Sequence, residues 1–176
     1  PDHQYGIHVN LSRKCCSPLQ EARMMMFLCA EENKRFAQVI AQRENVYNGS
    51  SYSIGSFPQR NQKVSQIGGL NTRSWRNSTP SNPNGVPVKK IYGVGKYAPI
   101  NFKSSPDVAE FRIFRSTIDP TEFMKNIEFV WALYAWTHPS SMSGTSWHYK
   151  DFLLWLASNS KQSWQRYPDL LTYLHD

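Results

Sequence analysis

Residues 108–114 (VAEFRIF) constrain the fold of this 176-residue chain more than any other stretch. The apolar residues of the stretch alternate with Glu110 and Arg112. A period of two residues is typical of a strand with one buried face, so a sheet covered on its apolar side is predicted. Glu110 and Arg112 would share the polar face, roughly 7 Å apart at two strand rises. Such a pair can hold a divalent cation and a phosphate together, or it can be a surface ion pair that contributes little to stability.

Residues 5–12 (YGIHVNLS) alternate in the same way and predict a second strand. Its polar face carries His8, Asn10 and Ser12, which are a metal-ligand type followed by two hydrogen-bonding groups. The competing interpretation is a solvated polar face with no ligand.

A hairpin is predicted where residues 96–102 and the 108–114 strand flank a turn at 104–107 (SSPD). The antiparallel pairing would bring Lys96, Tyr97 or Asn101 close to Arg112 or Glu110 on the 108–114 strand.

Two helix starts carry capping signals. Ser17, followed by proline and by glutamine three positions on, predicts a helix that continues to about residue 43. Asp119, followed by proline and by glutamate at the third position, predicts a helix that ends before Pro139. Shorter helices are predicted at residues 146–157 and 167–174.

These elements predict an α+β fold in a single domain over residues 1–176, which is long enough for a proper core. Residues 46–92 are rich in Gly, Ser, Asn and Pro and predict a long loop-rich insertion. Residues 119–176 form the helical C-terminal part.

The chain has 20 basic against 13 acidic residues and a formal charge of +7, which favours anionic partners such as nucleotide phosphates or nucleic acid. Residues 73–76 (RSWR) could stack a base and hold phosphates, or the tryptophan could pack its loop onto the body. Three cysteines, two of them adjacent, match neither a disulfide framework nor a zinc site and predict a cytoplasmic setting. The longest apolar run is too short to cross a bilayer, so no membrane partner is expected.

Three blocks together resemble the amidoligases of phages and bacteria, within the glutamine synthetase-like carboxylate–amine ligase superfamily. The blocks are GIHVNLSR at 6–13, GKYAPIN at 95–101, and EFRIFRST at 110–117 with the helix start at 119–123. The resemblance implies a curved antiparallel sheet, packed by helices, that forms one wall of an ATP site. It implies an ATP-dependent ligase that forms an amide bond through an acyl phosphate.

The resemblance also implies roles for single residues. His8 and Glu110 would be ligands of the Mg²⁺ or Mn²⁺ ion bound to ATP, and Arg112 would contact the phosphates. Arg115 is a candidate for a substrate carboxylate or phosphate, so the two arginines are the candidate catalytic residues. A mixed histidine and carboxylate site suits Mn²⁺ somewhat better than Mg²⁺.

Asn10, Ser12 and Lys96 would lie near the nucleotide. The family usually shows a second histidine where this sequence has Asn10, which removes a ligand and keeps a hydrogen-bonding group.

One departure from the family pattern concerns a strand with paired glutamates that precedes the first block in family members. Asp2 is a poor substitute for it. The expectation is therefore the C-terminal portion of a longer amidoligase-like domain, phage-encoded or bacterial, whose upstream part was removed or left out, or else a version of that domain that has lost catalysis. Two alternatives stay open: a non-catalytic structural or interaction domain of the phage-virion type on the same fold, and a basic nucleic-acid-binding domain.

Overall fold

The computed structural model describes residues 6–42, 99–105, 107–141, 148–158 and 160–176. This part of the chain mixes helix and strand, which confirms the α+β class. The strands are β1 (Gly6–Ser12), β2 (Ile100–Ser105) and β3 (Val108–Arg115). The α-helices are α1 (Pro18–Cys29), α2 (Lys34–Ala41), α3 (Pro120–Trp136), α4 (Tyr149–Ser158), α5 (Ser160–Arg166) and α6 (Pro168–His175), with 3₁₀ turns at Arg13–Cys15 and Glu31–Asn33.

No helix within these ranges is long and apolar enough to cross a bilayer. The insertion predicted at 46–92 lies outside the described residues, as do Lys96 and the tetrad at 73–76.

The strands form one antiparallel sheet in the order β1-β3-β2, so β3 is central. The predicted hairpin is confirmed, although its first strand is described only from Ile100 and extends to Ser105. At the level of Cα pairing, Glu110 lies between Asn10 on β1 and Asn101 on β2. The middle of β3 therefore has a strand on each side, and side chains on β1 and β3 can meet across the sheet.

A β-bulge interrupts the pairing of β1 with β3 beside His8. Ile7 pairs with Phe114 and Val9 with Phe111, so two steps along β1 span three steps along β3. A bulge adds one residue to a strand and re-aims the side chains around it. It explains why Ile113 and Phe114 are both buried although they are consecutive, which strict alternation would not predict.

Apart from this bulge, the predicted faces of the two strands are confirmed. His8, Asn10 and Ser12 are exposed, whereas Ala109 and Phe111 are fully buried. The apolar face packs against the helices and belongs to the hydrophobic core. The polar face is left open to solvent at its β1 edge.

An aromatic cluster fills the core beneath the helices. The ring of Phe27 on α1 contacts Trp136 on α3 and Phe152 on α4 edge to face, with ring centroids 5.4 and 5.6 Å apart. Trp136 and Phe152 also contact each other at 5.4 Å. Phe36 on α2 joins the cluster, 6.3 Å from Phe27. Three-way edge contacts of this kind stabilise beyond the area that they bury.

The single helix predicted from Ser17 to about residue 43 is wrong in its length. The start is confirmed, since Ser17 and Gln20 form the reciprocal capping box. The helix ends at Cys29, and α2 begins after a 3₁₀ turn. The side chain of buried Asn33 stabilises the break. Its Nδ2 donates to the Phe27 carbonyl at 3.0 Å, and its Oδ1 accepts from the backbone amide of Tyr149 at 2.8 Å. The turn brings both α1 and α2 onto the aromatic cluster.

Helix α3 begins as predicted, with the Asp119 carboxylate accepting from the amides of Thr121 and Glu122. It buries polar residues that the sequence analysis did not identify. Lys125 is 1% exposed, and its ammonium donates to the Ile40 carbonyl at 2.8 Å. Burial lowers the pKa of Lys125 to about 8.

Buried Glu128, also on α3, serves the start of α6. Its Oε2 accepts from the Leu170 amide at 2.8 Å, in the first turn of α6, where helix amides lack partners within the helix. The Tyr167 N-cap makes no side-chain hydrogen bond of its own, so Glu128 supplies the cap from another helix. Burial raises the pKa of Glu128, with the nearby Asp169 charge acting in the same direction and the Leu170 amide opposing.

We expect Glu128→Ala to destabilise the protein by about 1–3 kcal/mol in urea unfolding, because the buried Leu170 amide loses its acceptor.

Glu128→Gln tests the protonation of the same residue, since the glutamine side chain keeps an oxygen acceptor but does not titrate. The pKa of Glu128 in the folded protein is raised above its ordinary value of 4.5. The stability that the protonated side chain contributes is therefore fully present below pH 4.5 and is lost as pH rises through the raised pKa. The stability of Glu128→Gln relative to wild type should therefore increase from pH 4 to pH 7 in urea unfolding. A constant difference across that range would contradict this assignment.

Candidate functional site

His8 and Glu110 contact each other directly on the polar face of the sheet. His8 Nδ1 lies 2.8 Å from Glu110 Oε1. The two residues are far apart in the sequence and come together because β1 and β3 are neighbours and the bulge falls beside His8. The carboxylate is only 13% exposed, whereas the imidazole is 36% exposed. The resemblance implied that these two residues meet, and the structure places them in contact on one face of the sheet.

Arg112 contacts the same carboxylate from the other side. Its Nε lies 3.4 Å from Glu110 Oε2, and its side chain is 15% exposed. The Glu110 carboxylate thus lies between an imidazole and a guanidinium. We call His8, Glu110 and Arg112 the polar triad. The spacing of Glu110 and Arg112 on one strand face predicted their proximity, but not that one carboxylate would contact both neighbours.

The other predicted residues lie at increasing distance from the triad along the sheet. Asn10 is the Cα partner of Glu110 on β1, and Ser12 pairs with Val108 further along, where β1 ends. Both are exposed. Asn101 is the Cα partner of Glu110 on the other side. Asn10 and Ser12 therefore extend the polar face along β1 in the direction of the hairpin turn.

Arg115 lies at the opposite end of β3, across from Gly6, and is exposed. Its charge adds to the effect of burial in lowering the pKa of Lys125, while Glu122 acts in the opposite direction. The structure therefore brings Arg112 into the triad and leaves Arg115 at the end of the central strand, near Lys125 of α3.

His8 and Glu110 are residue types that could contribute two ligands to a cation that arrives with phosphates. Two ligands of one small divalent cation, each roughly 2.1 Å from it at a right angle, are about 3 Å apart, which is near the separation of the His8 and Glu110 atoms. Within the described ranges, no group of three or more His, Cys, Asp or Glu side chains could hold a metal alone. Mg²⁺ typically takes one or two protein ligands and completes its shell with water and substrate phosphates.

The sequence analysis missed an ion pair next to this face. Arg13, the residue after β1, donates from Nε to Glu21 Oε1 at 2.7 Å and from Nη2 to Oε2 at 3.0 Å. The amide of Arg13 donates to the Asp107 carbonyl at 2.8 Å and so ties the end of β1 to the hairpin turn. Glu21, on α1, is only 5% exposed. The sequence around Glu21, in the first turn of a capped helix, contains no pattern that predicts Arg13 as its partner.

The two adjacent cysteines follow directly, and they differ in environment. Cys15 is exposed. Burial raises the pKa of Cys16 to about 12, with the charge of Glu21 adding to the effect. At pH 8 its thiolate fraction would be about one part in 10⁴, so Cys16 is not poised as a nucleophile.

We expect iodoacetamide at pH 8 to modify Cys15 and to leave Cys16 largely unmodified. The tryptic peptide of residues 15–23 contains both thiols, and fragmentation by mass spectrometry separates them. Guanidinium-unfolded protein is the control, in which both should react. Equal rates in the folded protein would contradict the assigned environment of Cys16.

Comparison with known proteins gives no relative: no protein-family model, no curated protein and no solved structure matches the chain. The chemistry of the polar triad is therefore argued from its residues.

Proposed function

We propose that the polar face of the sheet binds a divalent metal–ATP complex, and that the chain supplies part of the active site of a carboxylate–amine ligase. The observation that carries the proposal is the contact between His8 and Glu110, with Arg112 on the same carboxylate. An imidazole and a carboxylate can ligate a metal ion, and a neighbouring guanidinium can contact the phosphate bound to that ion.

In this proposal His8 and Glu110 hold the cation, and Arg112 contacts the phosphates. Asn10 and Ser12, exposed on the same strand, would hydrogen-bond the nucleotide. Lys96 keeps the nucleotide-binding role and Arg115 the substrate-binding role that the resemblance implies. The small antiparallel sheet would be the equivalent of the curved glutamine synthetase-like sheet, with α3 packed on its apolar side.

The reaction class is the one that the resemblance implies, and the groups of the triad suit its first step. Transfer of a phosphoryl group to a carboxylate depends mostly on positioning and on neutralising charge, and an amine can then displace the phosphate. The bound cation, Mg²⁺ or Mn²⁺, would supply charge neutralisation at the phosphates. The triad would fix the orientation of the nucleotide.

We expect His8→Ala and Glu110→Ala to abolish Mn²⁺–ATP binding measured by calorimetry, a loss of at least 100-fold if either side chain is a ligand. Exposed residues of the same types off the sheet provide matched controls: His138→Ala and Glu32→Ala should bind as the wild type does. Mn²⁺ without ATP should bind far more weakly, because two side chains do not complete its shell.

Equal binding by the wild type and both triad variants would overturn the proposal. Absence of binding in all proteins would favour the alternative of a non-catalytic interaction domain. A nucleic-acid-binding domain would instead show DNA or RNA affinity that falls steeply with salt and is unaffected by the triad substitutions.

A further inference from the structure

A groove lies where the C-terminal helices α4, α5 and α6 meet, and it encloses about 290 Å³. Its apolar lining consists of leucines and one alanine: Leu153, Leu156, Ala157, Leu171 and Leu174. Trp164 and His175 also line it, and their rings stack with centroids 5.5 Å apart. An apolar cavity of about 150 Å³ takes up benzene, so this groove has room for a whole aliphatic or aromatic side chain.

Leu154 projects beside the groove, from the same helix that supplies part of the lining. It is 66% exposed, and it lies three residues from Ala157, so the two are neighbours on the surface of α4. Trp164 is 44% exposed. A surface that carries both a projecting apolar side chain and an apolar groove can pair with a copy of itself about a two-fold axis. Each projection then enters the groove of the other copy.

The charges of this region favour a second copy of the chain over an anionic partner. Residues 148–176 contain three basic and three acidic residues: Lys150, Lys161, Arg166, Asp151, Asp169 and Asp176. The formal charge of +7 therefore comes from the rest of the chain. Two copies of a strongly charged protein repel each other, and a surface of balanced charge is where they can approach with the least repulsion.

We propose that α4, α5 and α6 form a homodimer interface, in which Leu154 of each copy enters the groove of the other. Because a groove of this size holds a single side chain from the partner, the dimer is weak, with a dissociation constant of about 10–500 µM. The dimer is independent of the proposed function, since these helices carry no residue of the polar triad.

Sedimentation velocity over about 5–500 µM protein should show a monomer–dimer equilibrium for the wild type. Leu154→Asp should raise the dissociation constant at least about 10-fold, because burying a carboxylate in an apolar groove is unfavourable. Ile118→Asp is the matched control, since Ile118 is fully exposed, precedes α3 and does not line the groove. It should dimerise as the wild type does. Both variants should keep the wild-type urea midpoint in dilute solution, because both replaced side chains are exposed.

A second variant tests the groove side of the same contact. Ala157→Arg places a long cationic side chain in the lining of the groove and should also prevent dimerisation. Mixing it with Leu154→Asp should restore dimers. The intact Leu154 of one variant meets the intact groove of the other, and at the second contact the new carboxylate faces the new guanidinium. Neither variant alone can form these contacts.

A wild type that stays monomeric over the whole concentration range overturns the proposal, as does a dimer that Leu154→Asp leaves unchanged. Absence of dimers in the mixture of the two variants overturns the two-fold arrangement. The dissociation constant should not rise between about 50 and 500 mM NaCl, because salt screens charges and does not weaken apolar burial. A steep rise would contradict an apolar interface. Monomeric wild type that binds phosphatidylcholine vesicles through Leu154 would assign this surface to lipid and overturn the dimer.

Discussion

Phe27→Ala is expected to destabilise the protein by about 3–5 kcal/mol, the usual cost of removing a buried aromatic ring. Phe27 is fully buried and contacts the rings of Trp136, Phe152 and Phe36, which come from three other helices. The substitution leaves a cavity at the point where these helices meet. Thermal unfolding should move down by roughly 6–20 °C for a domain of this size.

Phe123→Ala is the matched control, because Phe123 lies on α3 with 42% of its surface exposed. Its effect should stay below about 1 kcal/mol. Denaturant unfolding of the three proteins gives the comparison. Similar losses for the two phenylalanines would contradict the arrangement of the aromatic cluster.

Glu21→Ala is expected to cost about 3–5 kcal/mol, the usual cost of removing one partner of a largely buried ion pair. The two side chains make a bidentate pair, and Glu21 is 5% exposed against 20% for Arg13. The cost of removing one partner exceeds the net contribution of the pair to stability.

A double-mutant cycle distinguishes the pair from its separate residues. The double variant Arg13→Ala/Glu21→Ala should cost less than the sum of the two single variants by at least about 1 kcal/mol, because each single variant already removes the interaction between the two side chains. Glu32→Ala, at an exposed carboxylate on the following 3₁₀ turn, should change stability by no more than about 0.5 kcal/mol. Additive single effects would show that Arg13 and Glu21 do not depend on each other.

The same pair bears on the proposed function, because Arg13 follows directly after β1. The backbone amide of Arg13 hydrogen-bonds to the Asp107 carbonyl, and its side chain hydrogen-bonds to Glu21. These hydrogen bonds fix the end of the strand that carries His8, Asn10 and Ser12. Loss of Glu21 should therefore lower Mn²⁺–ATP affinity indirectly. Binding measured well below the unfolding transition separates this effect from simple unfolding.

The strands and the helix starts could be predicted from the sequence because their signals lie within a few residues. Alternation along 108–114 fixed which side chains share a face, and the Ser17 and Asp119 caps fixed where two helices begin. The end of α1 could not be predicted in this way. It depends on the side chain of Asn33, which hydrogen-bonds to the Phe27 carbonyl on α1 and to the backbone amide of Tyr149 on α4, a helix distant in the sequence.

Sequence alone determined that a histidine and a glutamate would occupy the polar faces of two strands, since the period of a strand is a property of each segment. Only the tertiary structure decided that β1 lies next to β3, that a bulge falls beside His8, and that Nδ1 rather than Nε2 contacts the carboxylate. It also decided which charges are buried, as with Glu21, Lys125 and Glu128. Strand neighbours, bulges and buried partners depend on groups distant in the chain, and their free energies appear only when the whole core packs.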